Sequence, residues 1–557
     1  LSRISLNFPE KIPGYDLAHS VKNGGVMRRF LKRRGAAGLL LAALWGCGSG
    51  FADEAGAPSS SGEAPNQGGD SSAGSGGAGG GLPAEEELES NFLSPVATGR
   101  FVWVANPSSG RVAFLDAASL SVQLVEAGNG PTHLAPLPPK DGADRTLVLN
   151  VLSLDATVLS AKDGVLTTRT LGVPSGGNRW AIDPSGRYAV AWTDASKIKG
   201  ADPLDGFQDL TVLDLDKDTS TALSVGYRPV AVAFAQDSSR AFVVTQDGIA
   251  AIGLGDAPVV QKNFPLTDNP QGATTRDVVV TPDGALALLR LEGATAVTAI
   301  KLDSGARSEV ELGGVVTDLD LASSGDVAVA VVRELGKVAL LRLPEVADDP
   351  EARTELTVGS GENVVGSAAL AAQSPIAFLY SNAASNPLLT TVDVSVAAPE
   401  PRSVLLRAPV GAVFPTADAA GAVVVHTKGP EGSSTSYKAA LSVVKVADAL
   451  PPKIVGLEAM VSAVSVAPSG EHALVAVGDE KAGPWRVELV RLKTQQVKEI
   501  ALPSPPIAAG IIPEAGRGYV AQKHPEGRIT FVDLETGEAR TLTGFELAAQ
   551  VVYGGKK

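Results

Sequence analysis

The sequence predicts an all-β chain: a β-propeller of about ten four-stranded repeats behind an export signal and a flexible tether. Three observations carry that expectation. Short Val/Ala/Leu runs separated by turn residues fill the chain after Asn91. One turn motif recurs about every 40–55 residues, the period of a four-stranded blade. Apolar residues reach 44% with only 5% aromatics, so the core must be built from small branched side chains suited to pleated strands.

Residues 1–26 precede the first Met, Met27, and read as a misassigned upstream segment. From Met27 the chain runs MRRFLKRRGAAGLLLAALWGC. Arg28, Arg29, Lys32, Arg33 and Arg34 form a positive region ahead of the apolar run 36–44. That run is shorter than the roughly 20 residues a spanning helix needs, and it fits an export signal over 27–46. Gly46 before Cys47, the single cysteine, resembles a bacterial lipobox, in which the cysteine is diacylated and becomes the mature N-terminus. Trp45 is bulkier than that pattern usually carries. The resemblance implies lipidation at Cys47 and a place at the bacterial cell envelope: outer membrane, cell surface or periplasmic face.

Residues 47–90 comprise Cys47 and a Gly/Ser-rich acidic linker without Lys or Arg. Such a stretch buries too little surface to order itself, and a coil of this length spans roughly 35–40 Å. It reads as a tether that lifts the folded body, 91–557, off the membrane.

Within 91–557 the turns stand out as DPSG at 183–186, TPDG at 281–284, APSG at 467–470 and PEAG at 513–516. Weaker versions lie at 97–99, 140–142, 236–239, 323–325, 373–375 and 418–421. The units 278–312 and 511–542 show a whole blade, with TFVDLETG before the outer strand of the second. Here the chain resembles the YVTN-type and lactonase-type propeller repeats, whose consensus runs roughly V-x-x-S-P-D-G-x-x-x-Y-V-x-N, then V-x-V-I-D-x-x-T-x-x-V. The resemblance covers about 98–553 and is specific to the fold. Ten anchors imply about ten blades, in one large ring or two smaller rings. The first unit has no evident inner strand before Ala97, so 548–553 is expected to add to the first blade and hide two sheet edges.

Charge excludes one class of partner. The chain carries −14 overall, and 39 Lys/Arg against 59 Asp/Glu beyond residue 46, which disfavours nucleic acid. One cysteine leaves no disulfide framework or cysteine-based metal site. No cofactor is expected. The partners expected are the membrane, through the lipid, and a protein or small anionic ligand.

The candidate ligand-binding residues are His133, Arg179, Arg228 and Arg276, each at the start of an inner strand in four consecutive units. Guanidinium groups converging on one channel mouth would suit a carboxylate or phosphate. The alternative is that each solvates a loop or pairs with a nearby acid such as Asp277. PTHLA around His133 also resembles the P-C-H-L-A stretch of lactonase-type propellers, which implies a place for His133 near a site. The further histidines of that family are missing from the later inner strands. Asp214, Asp216 and Asp218 mimic the start of a calcium loop, but Thr219 stands where that loop needs glycine, and they read as a turn. The functional expectation is a lipid-anchored, non-enzymatic binding or scaffold protein. The alternative is a lactonase-like hydrolase with its site in the channel.

Overall fold

The computed structural model describes Ser49–Gly50 and residues 95–545, apart from 107–108, 199, 203, 268–275, 362, 384 and 448–450. Ten four-stranded antiparallel sheets follow one another along the chain. Blades 1 to 10 span 96–126, 131–172, 179–224, 229–265, 276–311, 318–357, 367–405, 410–457, 461–501 and 506–543. Each is a simple meander from innermost to outermost strand, and all ten expected turns fall between the first and second strands. Ser49–Gly50 lies along the innermost strand of blade 9, opposite Val464 and Ala463.

The turn residues work as local hydrogen-bond sources. In blade 5, Thr281 Oγ1 donates to Asp283 Oδ1 at 2.6 Å, and the same hydroxyl accepts from Leu286 N at 3.0 Å. Thr416 and Asp418 repeat this arrangement in blade 8. The turn glycine answers a second demand. Gly186 and Gly325 adopt φ of 69° and 78°, and a Cβ at either would overlap a proline of the preceding blade, Pro138 near the end of its inner strand or Pro282 in its first turn.

The core lies between the blades. Ten clusters of buried Val, Ala, Leu and aromatic side chains each join one blade to its neighbour. The tenth packs Val102 and Leu115 of blade 1 against Ile512, Tyr519 and Phe531 of blade 10. The blades therefore close as one ring of ten, and the two-ring alternative falls away. Tyr519 Oη donates to Pro95 O at 2.7 Å across this joint. Blade 1 supplies its own inner strand, Val96–Thr98, contrary to the expectation of none. That strand is three residues long, too short for an alternating pattern to show, and Trp103 Nε1 secures it by donating to Thr98 Oγ1 at 2.7 Å. The expected closing strand, 548–553, lies outside the described residues. Blades 7 and 8, weakly patterned in sequence, are regular four-stranded sheets.

Long basic side chains bind successive blades along the rim. Arg169 of blade 2 donates to Leu215 O of blade 3, Lys262 of blade 4 to Asp303 O of blade 5, and Arg342 of blade 6 to Val396 O after the third strand of blade 7. Lys498 of blade 9 does the same to Thr536 O of blade 10. Arg517 of blade 10 reaches Ala117 O of blade 1, so the closing joint repeats the device used elsewhere.

Candidate functional site

A meander sends its first and third turns to one end of the disc. Its second turn and the connection to the next blade go to the other. The first turns are uniformly short. At the opposite end the second turn ranges from 246–247 in blade 4 to 193–208 in blade 3, with 427–438 in blade 8 and 478–485 in blade 9 also extended. Variable loops on a rigid scaffold are where binding residues collect. This loop face also holds the starts of the inner strands, and so the expected quartet.

His133 and Arg179 come together there. His133 sits in blade 2 beside a register shift between Pro131 and His133, and it is buried. Burial, reinforced by the Arg179 charge, lowers its pKa from 6.5 to about 4, so the imidazole is neutral at physiological pH. Arg179 is fully buried and directs Nε and Nη2 to Asp194 Oδ2 at 3.2 and 2.9 Å. Burial pushes the Asp194 carboxyl above its usual range, against the pull of Arg179 and the Ser196 hydrogen bonds. Asn178 brackets the same residue: Nδ2 donates to Asp194 O at 3.1 Å, and Oδ1 accepts from Asp194 N at 2.8 Å.

Arg228 is used by the same loop at its other end. With φ of 50°, it donates from Nε to Asp205 O at 3.0 Å and from Nη2 to Asp202 O at 2.6 Å, and its guanidinium stacks over Tyr227. Arg276 begins the inner strand of blade 5, and its side chain lies outside the described residues. Asp277, the neighbour expected to pair with it, is bonded by Arg290 Nε at 2.6 Å. The four strand starts thus share one end of the disc, and two of the quartet, Arg179 and Arg228, direct guanidinium donors to one loop there. Arg179 and Arg228 are committed to blade 3's long loop, because a buried or loop-capping guanidinium must first satisfy its own donors. The sequence reading missed Asp194 and Asn178, the two groups that make this a structural network. The signal available was the polar stretch 193–208 separating two apolar strands, which marks a loop too long for a hairpin.

The three aspartates of the calcium-like segment are each matched to a cation. Asp214 accepts from Arg187 Nη2 at 2.8 Å, Asp216 pairs with Lys140 at 2.5 Å, and Asp218 pairs with Arg169. Among the described residues, no three His, Cys, Asp or Glu side chains are grouped to hold a metal. On the turn face a shallow cavity of about 630 Å³ crosses blades 4 to 6, lined in part by Asp237, Asp283 and Asp326. All three carboxylates accept hydrogen bonds from their own turns, from Ser239, Thr281 and Ser324.

No protein-family model matches the chain. No curated protein matches it either. Among solved structures it is similar to the dihydro-heme d1 dehydrogenase NirN in complex with DHE, at TM-score 0.42 and 11% identity over 78% of this chain and 79% of that one. It is also similar to Kuenenia stuttgartiensis hydrazine synthase, at 0.30 and 16% over 59% and 100%. A third is a functionally unknown protein from Desulfotomaculum acetoxidans, at 0.31 and 12% over 53% and 93%. Likeness at this level carries no argument about activity, and the ten-bladed ring rests on the strand topology itself.

Proposed function

We propose that this chain is a lipid-anchored protein of the bacterial cell envelope, built from YVTN-type repeats, whose ten-bladed disc binds a partner through its loop face without catalysing a reaction. The observation that carries this reading is the difference between the two ends of the disc. The two longest loops within the described blades, 193–208 and 427–438, lie at one end, while at the other the first turns run two to five residues and the longest third turn is 343–352. The basic residues and carboxylates that converge near the first of these loops support it rather than one another's chemistry. The Asp194 carboxylate, which pairs with the Arg179 beside His133, accepts from Arg179 and from Ser196 N, and so is engaged within the loop's own network.

Two measurements test the proposal. Cys47→Ser should release the protein from the membrane fraction and leave an uncleaved precursor; a variant that is cleaved and stays membrane-bound removes the anchor from the reading. Replacing 200–206 with a Gly/Ser segment of equal length, which keeps Asp194 on the buried Arg179, should leave the fold intact and abolish partner recovery from the envelope. Turnover of a lactone by the wild type that His133→Ala eliminates would favour the hydrolase instead.

A further inference from the structure

The innermost strand of each blade turns one edge, with its unpaired N–H and C=O groups, toward the channel. In blade 9 that edge is occupied. Ser49 lies opposite Val464 and Gly50 opposite Ala463, antiparallel, as a fifth strand of the sheet. Burial differs in the same place. The inner strands of blades 4 to 8 each leave apolar side chains partly exposed, among them Phe234, Val280, Leu321, Leu370 and Phe414. The inner strand of blade 9, Val461–Val466, is buried at every residue except the last.

An inner strand runs from the loop face to the turn face, so the antiparallel pair Ser49–Gly50 runs inward from the turn mouth of the channel. Val464 is two residues, roughly 7 Å of strand, from Val466 at that mouth. Cys47 precedes Ser49 by two residues, a reach of about 7 Å, and the loop mouth lies on the other side of Gly50. We propose that Ser49–Gly50 docks in the channel as the fifth strand of blade 9 and so fixes Cys47 at the turn mouth, with the turn face toward the bilayer and the loop face away from it. The proposal rests on the reading of Cys47 as the lipid anchor. Strand addition supplies main-chain hydrogen bonds along an open sheet edge. Chain direction agrees with it: Gly50 leads toward the loop end, and blade 1 begins at that same end with Val96. Residues 51–94 follow the docked pair and so do not set the distance between disc and membrane. Loops 193–208 and 427–438 then point away from lipid, where a partner can reach them.

The test uses the full-length chain in the envelope of the cells that make it. Ser49→Cys with Val464→Cys, and separately Gly50→Cys with Ala463→Cys, should give a looped, faster-migrating species on a non-reducing gel after mild oxidation. The second pair replaces only small residues, so it reads the contact where the first disturbs the core. Val232 and Val413 hold the place of Val464 in the bulged inner strands of blades 4 and 8. Ser49→Cys combined with Val232→Cys or Val413→Cys should cross-link about ten-fold less, since cysteines whose Cα atoms lie more than about 7 Å apart do not bridge. Equal yields, or none at blade 9, overturn the proposal. Orientation is read with a fluorophore on Ser304→Cys of the turn face or Ser434→Cys of the loop face, in phosphatidylethanolamine vesicles carrying a nitroxide lipid. The label at 304 should be quenched more strongly. Equal quenching, or stronger quenching at 434, overturns the proposal and leaves the anchor standing. Failure of Cys47→Ser to release the protein from the membrane removes the anchor reading, and this proposal with it.

Discussion

Arg179 and Asp194 show how much a pair of residues can decide without touching a ligand. Both are fully buried, and burying two charges cancels most of what their attraction returns. The cost of breaking the pair is another matter. Arg179→Met is expected to destabilise the protein by about 3–5 kcal/mol, because it strands the Asp194 carboxylate. Adding Asp194→Asn should recover much of that loss, since the amide needs no counter-charge; denaturant unfolding of the single and double variants measures both. Two histidines set the acid limit. His133 and His426 are each lowered from 6.5 to about 4 by burial, His426 despite its hydrogen bond to Pro409 O. The unfolded chain takes up both protons below about 6.5, and the folded chain refuses them until about 4, so stability is full above that window and drains as pH falls through it. The loss is on the order of 3 kcal/mol per histidine at most. The raised Asp194 carboxyl works in the opposite direction, since there the folded state is the better proton acceptor. His426→Gln should flatten the fall in melting temperature between pH 7 and pH 4.5; an unchanged slope would show that His426 does not contribute.

At the scale of the element, the hairpin between inner and second strands is the unit that repeats, and its glycine is asked for two things that can be separated. Gly325, in such a hairpin, and Gly293, in the second turn of blade 5, share nearly the same φ, 78° and 79°. A Cβ at Gly293 would meet nothing within 4 Å, while one at Gly325 would overlap Pro282 of the preceding blade. Gly293→Ala is therefore expected to cost only the left-handed backbone penalty, about 1 kcal/mol. Gly325→Ala should cost clearly more, because the turn must also move off its neighbour. Equal effects on thermal unfolding would mean that the contact between turns carries no energy. The same geometry explains why the turn motifs were legible: a positive φ and a close approach both select glycine, whatever the rest of the blade contains.

At the scale of the whole molecule, closure is the problem a ring must solve, and this one solves it with an ordinary joint. The blade 10 to blade 1 contact has its own buried cluster, its own basic clasp from Arg517, and a tyrosine bridge to Pro95. Phe531→Ala at this joint should cost about 3–5 kcal/mol, as Phe242→Ala should between blades 4 and 5, since both truncate a fully buried ring. A much smaller loss at Phe531 would identify the joint as the weak point of the ring. Blade 1 draws its four strands from 96–126 and blade 10 from 506–543.

The sequence by itself determined the class, the repeat and a count of about ten blades. Each of the ten turns is a local event, written in Asp, Ser, Thr, Pro and Gly within a few residues, and the strands between them need only be apolar and branched. It did not determine the number of rings or the fate of the basic residues at the strand starts, because both depend on partners far along the chain. Blade 1 meets blade 10 through Val102 and Phe531, hundreds of residues apart, and nothing local marks either as a closing contact. Arg179 reads as a free cation until Asp194, on a loop that folds back across the blade, is seen to occupy it. Charge pairing is a property of distance in space, and only the tertiary structure supplies that distance.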